Sequence, residues 1–199
     1  MHRTSLRQAL IEAGLFEFRK YGYAATGVST ITTRAGAPRG AFYGHFETKE
    51  TFAIEALGVY AEQHTAVTSL PGRPALEQLT FAFSSITELA AESGLELGCL
   101  WGVFGSEVAD LSAEIRASIE SGLRDWSCRI ASLLSESFAD AGTEPPFAPD
   151  EGARALVFAW EGALWRSRIA QDPAALRTFM NVILPLSLPT PDSARAYLH

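Results

Sequence analysis

The chain has 199 residues, 47% apolar and 20% charged, which is enough to bury one or two cores and too apolar for a disordered segment. No apolar run reaches the roughly 18 to 20 residues that span a bilayer, and Met1 to Leu10 is polar where a signal peptide needs an apolar stretch, so a cytoplasmic protein with no membrane association is expected. Two cysteines without Cys-x-x-Cys spacing and four scattered histidines argue against a disulfide framework, a metal site or a bound cofactor.

The net charge of −7 is unevenly spread. Residues 1–50 carry seven basic against four acidic side chains, whereas the remainder carries nine against nineteen. A small basic head on an acidic body suits a polyanion-binding module joined to a domain of another kind.

Helical punctuation recurs along the chain, without strand alternation. Ser5 and Gln8 fit a capping box, and Leu6, Ala9, Leu10, Ala13 and Phe16 keep helical spacing up to a C-terminal cap at Gly22. A short second helix is expected from Thr26-Gly27 to Ala35, a turn at Gly36-Ala37-Pro38, and a third helix from Arg39 to about His45. Two short helices joined by a glycine-containing turn have the spacing of a helix-turn-helix, whose second helix enters the major groove. Thr48 caps a fourth helix carrying Phe52, Ile54, Ala56, Leu57 and Tyr60, which ends before Pro71-Gly72.

Longer helices follow. One is expected from Pro74 to Ser93, closed by Gly94, and one from Cys99 to Val108. Residues 112–139 form an amphipathic helix with Ile115, Ile119, Leu123, Trp126, Ile130, Leu133 and Leu134 along one side. After a proline-rich loop, Pro149-Asp150-Glu151 starts a helix to Gln171, and Asp172-Pro173 starts the last, to about Leu186. The helix from Asp150 to Gln171 is apolar on most sides, through Leu156, Val157, Phe158, Trp160, Leu164, Trp165 and Ile169. It is therefore either a central core helix or, with the last helix, half of a symmetric four-helix dimer interface.

The run from Ala9 to Leu57, above all Ala35 to Glu50 with Gly36, Phe42-Tyr43, His45-Phe46 and Lys49-Glu50, resembles the N-terminal domain of the TetR family of bacterial repressors. Gly98 to Ser112, with Trp160 to Ala163, is similar to the NemR/AcuR-like branch of that family. The resemblance implies an all-α homodimer of about nine helices: a helix-turn-helix DNA-binding domain at 1–47, a ligand-binding and dimerisation domain at 48–199, inducer-driven release from DNA, and no enzymatic activity. It also implies a DNA-contacting set of Arg34, Pro38, Arg39, Gly40, Tyr43, His45 and Lys49 on double-stranded operator DNA.

Arg39 has the fork geometry to read guanine O6 and N7, or else to hold a phosphate. Tyr43 and Lys49 match backbone-holding positions, and His45 reaches phosphate or packs against the turn. Phe42 and Phe46 read as core. Gly27 departs from the family pattern where a hydroxyl residue often touches phosphate, and Gly44 where a larger side chain often sits.

Aromatic residues in the body suit a small apolar or aromatic inducer, with Phe81, Trp101, Phe104, Trp126 and Trp160 as its expected lining. Glu107 and Glu161 lie in apolar stretches where a carboxylate needs a partner, either an arginine such as Arg124 or a cationic ligand group. Cys99 has no Lys or Arg within ten residues, and no lysine follows Lys49, so a buried, inert thiol is expected rather than a redox switch. The alternative, a helical enzyme or small-molecule-binding protein carrying a helix-turn-helix-like head, lacks any catalytic constellation, phosphate loop or metal spacing.

Overall fold

The computed structural model describes residues 5–108, 110 and 112–189, and among them all regular structure is helical. The elements are α1 (Leu6–Ala25), α2 (Val28–Arg34), α3 (Arg39–Tyr43), α4 (Lys49–Val67), α5 (Ala75–Glu92), α6 (Leu100–Val108), α7 (Ala113–Asp140), α8 (Pro149–Ala170), α9 (Ala174–Thr178) and α10 (Leu184–Leu186). A π-helical segment, Phe179–Ile183, joins α9 to α10. With that last rod taken as one, the described residues form the nine helices expected.

Local chemistry sets most of these boundaries. Ser5 Oγ accepts the Gln8 amide at 3.2 Å, so half of the capping box forms, while the Gln8 side chain donates to Glu12. Thr48 Oγ1 accepts the Thr51 amide at 3.0 Å and starts α4. Gly22 is left-handed (φ 87°) but does not end α1, which kinks there and adds a final turn to Ala25. The last rod departs from regular α geometry. The Leu184 amide reaches back five residues to the Phe179 carbonyl, and this wider turn makes room ahead of Pro185, which has no N–H and whose ring crowds the carbonyl four residues before it.

The described residues fall into two compact units, one of residues 5–64, 96–108, 110 and 112–123 and the other of 65–95 and 124–189. The core of the first is a mesh of rings. Phe52 meets Phe18, Phe42 and Phe46 at centroid separations of 5.8, 5.1 and 4.7 Å, and Phe104 from α6 meets Phe18 edge-on at 5.0 Å. Edge-to-face pairs add roughly 0.5 to 1.5 kcal/mol each beyond the area they bury. Phe42 and Phe46 are buried, consistent with their reading as core.

The second unit is built on α5, the later part of α7, and α8 with the last rod. Trp126, Ile130, Leu134 and Phe138 of α7 are buried at spacings of four, the period of one helix face. Phe83 lies between Trp126 (6.1 Å) and Phe179 (5.0 Å). On α8, Leu156, Val157, Trp160, Ala163 and Leu164 are buried, but Phe158, Trp165 and Ile169 remain 68, 65 and 57% exposed.

Candidate nucleic-acid interface and sensor residues

The helix-turn-helix is α2, a four-residue turn and α3. Its turn depends on Gly36, at φ 65°, a conformation costly for any residue with a side chain. The Ala37 amide bonds to the Thr32 carbonyl at 2.9 Å, closing the end of α2. Pro38, extended at φ −63° and ψ 145°, is the N-cap of α3, so its carbonyl takes the Ala41 amide while its lack of N–H costs nothing. Ile31 and Phe42, both fully buried, pin the two helices to the core.

This leaves one face of α3 in solvent. Arg39, Gly40, Tyr43 and His45 are all exposed, and Arg39 makes no hydrogen bond or ion pair with the described residues. The Tyr43 ring leans on Phe42, with centroids 5.4 Å apart. The His45 ring lies 6.2 Å from Phe46.

The other two basic residues of the expected set are engaged within the protein. Arg34 stacks its guanidinium 3.7 Å above the Phe16 ring, and its Nε donates to the buried carboxylate of Glu17; its Nη groups donate to no described residue. Lys49 turns inward. Its Nζ donates to the Tyr23 carbonyl at 2.5 Å and sits 4.0 Å from the centre of the Tyr23 ring. Burial pulls the ammonium below its ordinary value, against the opposing attraction of Glu107. Neither contact was legible in sequence, because Glu17 and Arg34 are 17 positions apart and Tyr23 and Lys49 are 26 apart.

The expected sensor residues divide between the two units. Trp101, Phe104 and Glu107 are in the first. Trp101 is buried against Tyr60 (5.0 Å) and His64 (4.9 Å), partners that sequence reasoning passed over because a lone histidine carries no motif. Phe104 is core. Glu107 lies beside α1, where its Oε2 accepts the Ala24 amide at 3.0 Å and its carboxylate fills the space that a Cβ on Gly22 would need.

Phe81, Trp126, Trp160 and Glu161 are in the second unit. Trp160 meets Trp126 edge-on at 5.7 Å and donates its indole N–H to Thr87 at 3.1 Å. Phe81 and Glu161 are half-buried. Thr87 and Phe179 complete this cluster and were not foreseen. Cys99 is buried and Cys128 exposed. Among the described residues no group of His, Cys, Asp and Glu could hold a metal ion, and no helix is long and apolar enough to cross a membrane.

An exposed recognition helix on a helix-turn-helix, followed by a larger all-helical unit with a buried aromatic cluster, defines a DNA-binding regulator of transcription. Residues 10–56 match the family described as "Bacterial regulatory proteins, tetR family", and residues 75–183 match "Tetracyclin repressor-like, C-terminal domain". The chain is 30% identical over 197 residues to the HTH-type transcriptional repressor DhaR of Mycobacterium sp. (strain GP1), covering 97% of this chain and 98% of that protein. It is 34% identical over 176 residues to the transcriptional regulator AcuR of Cereibacter sphaeroides, covering 86% and 80%. A solved regulatory protein TetR from Rhodobacter sphaeroides superposes with a TM-score of 0.81 at 30% identity, over 89% of this chain and 96% of that one. Reduced NemR of Escherichia coli shares the fold, with a TM-score of 0.81 at 24% identity over 94% and 99%. The chain belongs to the TetR family, DNA-binding repressors of transcription rather than enzymes.

Proposed function

We propose that this regulator binds operator DNA as a homodimer and is released by a small apolar or aromatic inducer. The exposed α3 carries the DNA reading, with Arg39 free to meet base edges and Tyr43 and His45 beside it. Pro38 and Gly40 let the backbone approach the duplex closely, and Arg34 offers its Nη groups to phosphate while its Nε stays with Glu17. In this reading residues 1–47 are the DNA-binding head and 48–199 the ligand-binding and dimerisation body, a functional division distinct from the two compact units, and operator DNA calls for a cytoplasmic protein.

The second subunit covers α8 and the last rod. Phe158, Trp165 and Ile169, with Val182 and Leu186 at 51 and 62% exposure, form an apolar surface of the kind isologous interfaces bury. The inducer site draws on the aromatic residues Phe81, Trp126 and Trp160, with Glu161 as the polar group that orients a ligand. Ligand changes the spacing of the two recognition helices, which must stand roughly 34 to 36 Å apart to read successive major grooves.

Titration of a duplex covering the DNA upstream of its own coding sequence, at several salt concentrations, tests the reading. Specific, salt-dependent binding of one dimer per site is expected; binding no tighter than to random-sequence duplex would refute it.

A further inference from the structure

The helix-turn-helix enters and leaves the first unit at one point. Tyr23 lies in the last turn of α1, immediately before α2, and Lys49 opens α4, immediately after α3. Their bond, carbonyl to ammonium at 2.5 Å, closes the segment between them into a ring. The ammonium also sits over the Tyr23 ring, and that ring is wedged edge-on against Phe104 at 5.5 Å. From α6, Glu107 grips the next peptide, taking the Ala24 amide at 3.0 Å. On the α4 side, Glu50 accepts the Ser112 hydroxyl at 2.5 Å, and Ser112 Oγ in turn caps the Ile115 amide of α7 at 3.1 Å. Both ends of the DNA-reading segment are thus tied to each other and to the α6–α7 region.

We propose that Lys49, Tyr23 and Glu107 form a clasp that fixes the entry and exit of the helix-turn-helix, with Lys49 acting as a positioning residue for operator reading and not as a phosphate ligand. This rests on the DNA-binding reading above. A lysine on phosphate extends its ammonium into water and releases a counterion on binding. Here the half-buried ammonium has given up part of its hydration for a carbonyl and a ring face, and Glu107 supplies the nearby negative charge. Moving it to DNA would leave the Tyr23 carbonyl with the Thr26 amide alone and open the ring that holds α3.

The test separates positioning from phosphate contact through the salt dependence of binding. Affinities of Lys49→Gln for random-sequence duplex and for the duplex upstream of the coding sequence are measured over a salt series, beside wild type and Arg39→Ala. The clasp predicts an unchanged slope of log affinity against log salt, and a preference for the upstream duplex reduced about tenfold, the size expected from losing one charge-assisted hydrogen bond. A slope shallower by about 0.9 per head would make Lys49 a phosphate ligand and overturn the proposal.

Should Lys49→Gln fail to fold, Glu107→Ala decides, because it alters no group that could meet a phosphate. It is expected to speed hydrogen exchange at the Ala24 amide and to lower the same preference, with Glu107→Gln restoring both through its amide oxygen. Full preference in Glu107→Ala would also overturn the proposal. A wild-type chain that binds neither duplex would bring down the DNA reading itself, and the clasp's role with it; loss of preference in Arg39→Ala alone would leave that reading standing while refuting the clasp.

Discussion

The Arg34 guanidinium and the Glu17 carboxylate close the junction of α1 and α2, one partner nearly buried and the other stacked on Phe16 with 40% of its side chain in solvent. An open groove of about 520 Å³ runs past them, lined also by Ser29, Thr30 and Thr33. Removing Arg34 would leave a carboxylate buried without its cation. Arg34→Ala is expected to cost about 2 kcal/mol, less than the roughly 3 to 5 for a fully buried pair because water already reaches the guanidinium. Chemical denaturation measures this, and the double change Glu17→Leu with Arg34→Met should recover most of the loss. Equal stability of Arg34→Ala and wild type would show the pair to be idle.

Arg39 is the residue proposed to read sequence. Arg39→Ala should leave the thermal midpoint unchanged, because the exposed side chain makes no hydrogen bond or ion pair with the described residues, and should lower discrimination among operator variants by about 1 to 3 kcal/mol. Competition binding with base-substituted duplexes gives the answer. A uniform loss over all duplexes would place Arg39 on phosphate instead.

Trp165 is the most direct probe of the proposed subunit interface. Trp165→Glu should yield monomers in sedimentation at concentrations where wild type is dimeric, since two-fold symmetry puts both copies of the substituted residue in one interface. Met180 and Ile183, read from sequence as the apolar side of the last helix, are half-buried within the chain, so charges there test packing and association together. Dimers that persist in Trp165→Glu would assign the apolar face of α8 to another partner.

The Tyr23 phenol is held above its ordinary value of 10.0, chiefly by burial and further by the charge of Glu50. The unfolded chain therefore gives up this proton first. The resulting contribution to stability is complete below pH 10.0 and is lost as pH rises through the folded value. Lys49, lowered by burial, acts in the opposite sense, since the unfolded chain holds its proton longer and stability gains as pH climbs toward 10.5. Tyrosinate absorbance should show a late-titrating component that is missing in Tyr23→Phe, and that variant should lose less stability on the alkaline side. A Tyr23→Phe titration matching wild type would remove this assignment.

Much of the fold was legible because helix starts are written locally. Ser5, Thr48 and Pro149 each stand where the structure begins a helix, and Gly36 and Gly94 where it turns. The exposed set on α3 followed from the motif. What escaped sequence reasoning depends on how helices cross. Glu17 looked like one more head acid but is buried against Arg34, and Lys49 looked like a DNA contact but is drawn under Tyr23. Glu107, expected to face a ligand or Arg124, instead lies against Gly22, which the sequence marked only as a helix end. The π segment before Pro185 was hidden too, because one extra residue in a turn leaves the apolar residues evenly spaced by eye while rotating the face they share.

The four tryptophans sit in different surroundings: Trp101 inside the first unit, Trp126 and Trp160 in edge contact inside the second, and Trp165 alone in water on the outer side of α8. The protein thus carries its own optical label. Emission from the exposed Trp165 should be red-shifted relative to the three buried indoles, and covering that ring should shift the spectrum to the blue without dye or tag. With Trp165→Phe as the blank, intrinsic fluorescence on dilution becomes an association curve for the unmodified chain.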